Sequence, residues 1–396
     1  MSAIKDLPEE GGIVDARCQE GRPVINSDMF SVAGQKPVTI LLAAAVYTMN
    51  AKQSMSSGSR IIGVGRGTGL RATYIQNGKV SNDAMFLLGN SDASFGVELE
   101  NFVLNCNASR TPGAPGYKVT GVVNTFAQER SWVRSVSFTK CNGAGLRVTG
   151  NSAQNSGPYS DLEFIMDEKN SLPDTTCVSI YRVPSFRGIQ NVTCVSSRLD
   201  ISPAVGMGFG RTNGVLENVH CEGTMVDCIR LGDAGDGTGD TGVFGMEVRN
   251  VYGLFQKGMT NLVHITSKSR AVCLSGLVKG NVDYGFTDDT ASPPYHNAAW
   301  EVGLYCIGQD NPRTRISTDG DFRNIFAGGI QVGKDKPAII GSNGVLVPAQ
   351  YSCRNLPQAP NGSLIYCTDC AERRDPCSCG GNGALAVRQG EQWNCK

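Results

Sequence analysis

Leu99-Glu-Asn-Phe102, Ile189-Gln-Asn-Val192, Leu216-Glu-Asn-Val219 and Val248-Arg-Asn-Val251 read alike: apolar, polar, asparagine, apolar. Weaker copies fill the gaps: Val133-Arg-Ser-Val136, Tyr159-Ser-Asp-Leu162, Leu274-Ser-Gly-Leu277, Glu301-Val-Gly-Leu304 and Phe322-Arg-Asn-Ile325. With the third residue of each as marker, successive spacings are 34, 26, 30, 27, 32, 26, 27 and 21 residues. The residue after the marker is apolar in all nine copies. That period is too irregular for an ankyrin or tetratricopeptide array, and the copies lack the 3.6-residue periodicity of helices. They are short β runs separated by Gly, Asn, Asp and Ser clusters. A solenoid of β coils fits, with turns of variable length absorbing the differences in spacing. The marker then sits where a strand bends, because Asn, Asp and Gly tolerate left-handed backbone.

Composition agrees. The chain has 396 residues, 49 of them glycine, with 40% apolar and only 18% charged side chains. A coiled coil would be far richer in charge, and a disordered chain poorer in apolar residues. Lys+Arg and Asp+Glu are 36 each, so no net basic field draws the protein to nucleic acid. The longest clean apolar run, Ile40 to Tyr47, is far short of a membrane span, and the first twelve residues lack a signal-peptide core.

Three further stretches carry a family resemblance: Gly11-Gly-Ile-Val-Asp-Ala-Arg17, Val38-Thr-Ile-Leu-Leu42 leading to Tyr47-Thr48, and Ile61-Ile-Gly-Val-Gly-Arg-Gly67. With the Asn ladder, they make residues 10–345 resemble the right-handed parallel β-helix proteins of the pectate lyase and polygalacturonase superfamily. More narrowly, the chain is similar to bacterial glycoside hydrolase family 28-related proteins and phage tail-spike-like β-helices. The resemblance implies an all-β, single-stranded parallel β-helix that handles polysaccharide. It does not fix an activity, because one fold hosts many. The polygalacturonase set of Asn-x-Asp, Asp-Asp, Gly-His-Gly and Arg-x-Lys is incomplete here. None of the three histidines, His220, His264 and His296, stands in Gly-His-Gly, and there is no Arg-x-Lys. Asp288-Asp289 reads as a solvated turn.

Solenoid geometry points to a site by another route. Side chains two after the marker should face outward: Val103, Ser137, Glu163, Thr193, His220, Tyr252, Val278, Tyr305 and Phe326. Those one before it are Glu100, Arg134, Ser160, Gln190, Glu217, Arg249, Ser275, Val302 and Arg323. Aromatic rings stack on sugar C–H faces, while acids and Arg hold hydroxyls and uronates. Adjacent coils set two carboxylates about 4.8 Å apart and alternate coils about 10 Å apart, which brackets the glycosidase separations. The candidate catalytic set is Asp161, Glu163 and Glu217 as acid or base, with Arg134 and His220 as partners. Tyr252, Tyr305 and Arg249 are the candidate carbohydrate contacts. The competing reading is that these charges only solubilise the face and pair across coils. For Asp233, Asp236 and Asp240 two readings stand: a calcium site, or a flexible Gly-rich turn. No other cofactor is implied.

Fifteen cysteines are many for a reducing cytosol, and the odd total leaves at least one thiol without an intrachain partner. Cys194, Cys221 and Cys306 fall three after their markers and read as small hydrophobes in a core column. Cys353, Cys367, Cys370, Cys377, Cys379 and Cys395 crowd the last 44 residues. A segment too short for its own core needs disulfides or a metal, and the absence of a tail His favours disulfides over zinc. The expected organisation is a cap with first strands over 1–50, the β-helix over 51–345 and a Cys-rich module over 346–396. Two functions stand for a secreted, cell-surface or virion protein: a glycosidase or polysaccharide lyase, or a non-catalytic adhesive or receptor-binding β-helix. Homo-oligomerisation is compatible with both.

Overall fold

A computed structural model describes residues 2–18, 21–34, 36–72, 83–89, 95–107, 119–125, 129–150, 156–166, 175–196, 205–223, 225–235, 239–255, 261–280, 284–290, 295–297, 301–307, 315–316, 330–332, 338–340 and 346–396. For 2, 83, 255, 276–280, 284–285, 295–297, 301–307, 315–316, 330–332, 338–340 and 346–347 the description is of backbone alone. The chain divides into two compact units, Met1–Leu304 and Tyr305–Lys396.

The first unit is the expected parallel β-helix. Its ladder sheet runs through Gly12–Ala16, Val38–Leu42, Arg60–Ile62, Glu98–Asn105, Trp132–Thr139, Tyr159–Met166, Ile189–Ser196, Gly214–Gly223, Met246–Phe255 and Cys273–Gly280. A second sheet alternates with it along the chain, from Gln53–Met55 through Asp83–Leu88, Val119–Asn124, Ala144–Thr149, Thr176–Tyr181, Val205–Gly210, Asp227–Leu231 and Asn261–Ile265 to Tyr284–Asp288. Each turn of chain supplies one strand to each sheet, and neighbouring strands pair in parallel. That is the defining order of a β solenoid.

The markers explain why these residues coil. Asn101, Ser135, Asp161, Asn191, Asn218 and Asn250 all have left-handed backbone, with φ between 53° and 61°. Glycine and short polar side chains, asparagine above all, take that bend at the least cost. Between markers the strands alternate, and Leu104, Phe138, Phe164, Cys194 and Cys221 point inward, each at most 1% exposed. Phe138 and Phe164 stack with ring centroids 4.7 Å apart. Gly145, on the facing strand, leaves them room: a Cβ there would lie 2.2 Å from Phe164 Cδ1. Where a copy carries Tyr instead of an apolar residue, at Tyr159, the buried hydroxyl is bonded to Ser156 Oγ and Asn124 Nδ2. Burial pushes that phenol up to about 12.

Two expectations need correction. The strand Cys273–Gly280 carries one extra residue against its neighbour, so Tyr252 pairs with Lys279, not Val278. A bulge of that kind is invisible to a repeat read only by its apolar positions. The body cysteines are also not isolated hydrophobes. Cys106–Cys141, Cys177–Cys194 and Cys221–Cys228 are disulfides, and Cys273 is disulfide-bonded too. The period places neighbours along the axis, whereas Cys177 on the second sheet and Cys194 on the ladder sheet meet across the coil, with Cα atoms 6.0 Å apart. The free thiol among the described residues is the exposed Cys18. The copy at Phe322–Ile325 lies outside the described residues.

In the second unit, Gln350–Tyr351, Leu364–Cys367, Ala384–Gln389 and Gln392–Cys395 form a four-stranded sheet. Its small core of Ile365, Ala384, Ala386 and Trp393 is stapled by Cys353–Cys379, Cys367–Cys370 and Cys377–Cys395. All six tail cysteines are thus oxidised, as expected from the short segment. No helix among the described residues is long and apolar enough to cross a membrane.

Candidate functional site

On the ladder sheet the outward columns lie in strict register. Ser137, Glu163, Thr193, His220 and Tyr252 follow one another on successive coils, and so do Arg134, Ser160, Gln190, Glu217 and Arg249. The markers form a hydrogen-bonded file beside them. Asn250 Nδ2 donates to Asn218 Oδ1 (3.2 Å), Asn218 to Asn191 (3.0 Å) and Asn191 to Asp161 Oδ1 (2.9 Å). A run of polarised amides therefore ends on a carboxylate.

That carboxylate lines an open cleft of about 400 Å³ with Arg66, Asn101, Ser135, Ser137, Glu163 and Thr193. Arg66 Nη2 donates to both oxygens of Glu163 at 2.9 Å, and Ser137 Oγ donates to Glu163 Oε2 at 2.7 Å. Arg66 stands on the single 3-10 turn Gly65–Gly67. Thr68 pins this turn, its hydroxyl donating to Ala43 O and accepting from Val64 N. Sequence reasoning missed Arg66, which is 97 residues from its partner. The one signal available was the Gly-Arg-Gly that closes the Ile61–Gly67 stretch.

Of the candidate catalytic residues, the structure brings Asp161 and Glu163 together in the cleft. Arg134 instead bonds Glu100 at 2.9 Å. Glu217 and His220 stand two coils further along, on the order of 10 Å away. His220 packs against Tyr252, ring centroids 4.9 Å apart, and its buried Nε2 has no hydrogen-bond partner. Arg249 bonds Glu247 at 2.8 Å. The side chain of Tyr305 lies outside the described residues.

A second polar cluster sits on the other sheet. Asp227, His264 and Asp289 come from three successive coils. His264 Nδ1 is 3.0 Å from Asp227 Oδ2, and Nε2 is 2.8 Å from Asp289 Oδ2. Arg230 Nε also donates to Asp227 at 2.6 Å, and Asn261 Nδ2 at 2.8 Å. Burial alone would push the imidazole down, but hydrogen bonds to and the charges of Asp227 and Asp289 outweigh it and raise His264 to about 9. Burial likewise opposes ionisation of Asp227, yet His264 and Arg230 hold its carboxyl below the usual range. An imidazolium with both N–H groups committed has no lone pair to take a substrate proton, so the cluster is a clamp between coils. This corrects the reading of Asp288-Asp289. Asp288 is fully buried and Asp289 pairs with His264, because the turn closes onto the neighbouring coil.

In the Gly-rich loop, Asp233 accepts from Gly235 N and from Arg230. Asp240 accepts from Thr266 Oγ1, Ser267 Oγ and the amides of Gly242 and Lys268. Burial would raise its carboxyl, but those donors hold it down. Asp236 lies outside the described residues.

No protein-family model matches the chain, and no curated protein matches it. Among solved structures it is similar to the A-module of the Azotobacter vinelandii mannuronan C-5 epimerase AlgE4, at 11% identity. The match covers 68% of this chain and 96% of that one, with a TM-score of 0.28. The β-helix rests on the strand registers, not on this likeness.

Proposed function

We propose that the protein binds a polysaccharide laid across the strands of the ladder sheet, and that the cleft at Asp161 and Glu163 is where the polymer is cut. The observation that carries this reading is the register of the outward columns. They repeat every coil, about 4.8 Å, close to the length of one pyranose residue. Each sugar would meet a comparable set of groups: an amide of the marker file, a hydroxyl or acid of the next column, and an apolar shelf. Thr139, Ile165 and Val195 form that shelf in register beside the cleft, and Ile165 is 42% exposed. Tyr252 supplies a ring at the far end. The disulfides of both units fit work in an oxidising compartment outside the cytosol. In the cutting step Asp161 and Glu163 would act as the carboxylate pair, with Arg66 holding Glu163 in place.

A second reading, adhesion without cleavage, is favoured by one fact: Glu163 is already bonded to Arg66 and Ser137. Incubation with a panel of polysaccharides, with and without calcium, separates the two. The proposal expects new reducing ends from one polymer, lost in both Asp161→Asn and Glu163→Gln. Retention of a polymer with no product supports adhesion. Product formation that survives both substitutions would move the chemistry elsewhere.

A further inference from the structure

We infer that the glycan bound on the ladder face carries no carboxylate or sulfate; the face is built for a neutral polysaccharide. This rests on the polysaccharide-binding reading above and specifies its substrate class.

Charge on the described side chains of the face, from Arg60 to Tyr252, is largely paired within the face itself. Four of its five arginines are engaged by carboxylates of the same face, and the fifth, Arg71, donates to the amide oxygen of Asn107 at one end of the shelf column. Arg60 pairs with Glu98, Arg66 with Glu163, Arg134 with Glu100, and Arg249 with Glu247. Three further carboxylates have no cation of their own among the described residues. Asp161 accepts the amide of Asn191, Glu217 stands beside Arg249, whose guanidinium Glu247 already holds, and Glu222 stands exposed in the Val195 column. Seven carboxylates against five guanidiniums leave the face at −2. A polyuronate or sulfated chain would have to displace an existing carboxylate from its arginine and then lie against that freed charge and Asp161. Recognition of an anionic sugar needs the reverse arrangement, a guanidinium presenting an open fork.

What the face offers along the cleft and the marker file is neutral. Ser135, Thr193 and Gln190 stand there with the marker asparagines. In the file, Asn191 and Asn218 each spend one N–H on the preceding marker, and a primary amide has a second. Hydroxyls and amides both donate and accept, which suits sugar hydroxyls that do the same. The acids without a cation of their own add acceptors for hydroxyl donors and repel anionic polymers, so they select by exclusion as well as by contact.

The test is electrophoresis of the full chain through native gels containing dissolved polymer. One set holds neutral polymers (galactomannan, xyloglucan, mixed-linkage β-glucan), the other polygalacturonate, alginate and a sulfated galactan. Wild type and Tyr252→Ala are run side by side at low and high salt. The inference expects retardation by a neutral polymer, unchanged by salt and weakened about fivefold in Tyr252→Ala, with none by the anionic set. Retardation by an anionic polymer that Tyr252→Ala weakens would overturn the substrate class and leave the binding reading standing. Retardation by nothing, or retardation indifferent to Tyr252→Ala, would overturn the binding reading and this inference with it.

Discussion

Replacement of His264 by alanine is expected to cost the solenoid about 3 kcal/mol of stability at neutral pH. The figure follows from the imidazole standing at about 9 in the folded protein against about 6.5 when unfolded, at roughly 1.4 kcal/mol per unit. The folded-state value is raised, so the contribution is full below about pH 6.5 and fades as pH climbs through about 9. Asp227 has the opposite sign. Its folded-state value is depressed, so its contribution is present above about pH 4 and fades as pH falls through that lower value. The clamp therefore works from mildly acid to mildly alkaline solution. Denaturant midpoints of wild type and His264→Ala, compared at pH 6.5 and pH 10, read the effect as a difference in which other titrations cancel. The gap should be wide at the lower pH and mostly closed at the higher. A gap that stays constant would mean that the imidazolium charge does not hold these coils.

The second large effect is expected from reduction of the tail. Cys353–Cys379 and Cys377–Cys395 close segments of 26 and 18 residues, each worth about 3 kcal/mol in restricted unfolded-state entropy. A folded segment of about 50 residues has only some 3–7 kcal/mol in hand. Its core, built on Ile365 and Trp393 with five small alanine or cysteine neighbours, is too slight to replace them. Cys379 is exposed and Cys353 and Cys377 half-buried, whereas Cys106, Cys141, Cys194, Cys221 and Cys228 are at most 1% exposed. Mild reductant in native buffer should therefore open the tail first. Limited proteolysis should then cut beyond residue 346 while residues 98–255 stay intact. Simultaneous loss of both regions would show that the body disulfides are equally open to attack.

The fold was legible because each coil needs a left-handed bend flanked by inward apolar residues, and few residue types satisfy that bend. The four Asn copies and the Ser and Asp substitutes at 135 and 161 all mark it. The same register put Asp161 and Glu163 on the outer face, where they line the cleft. Relations across a coil or between distant turns were not legible. Arg66 reaches Glu163 only because Thr68 folds its turn back against Ala43. Cys177 and Cys194 meet across the interior, which an axial period does not report. The Asp227–His264–Asp289 clamp sits on the second sheet, whose strands carry no repeated marker. The extra residue after Ser275 shows the limit of the repeat itself: one inserted position exchanges Val278 for Lys279 in the Tyr252 column.

The central claim is that a polysaccharide lies across the ladder sheet. Its most direct test is a crystal structure of the chain with an oligosaccharide cut from whichever polymer retards it. The account predicts sugar rings crossing the strands in step with the coils, from the Arg66–Glu163 pair past the marker asparagines to Tyr252. An oligosaccharide seated on the second sheet or on the Cys-rich unit, with the ladder face bare, would contradict it.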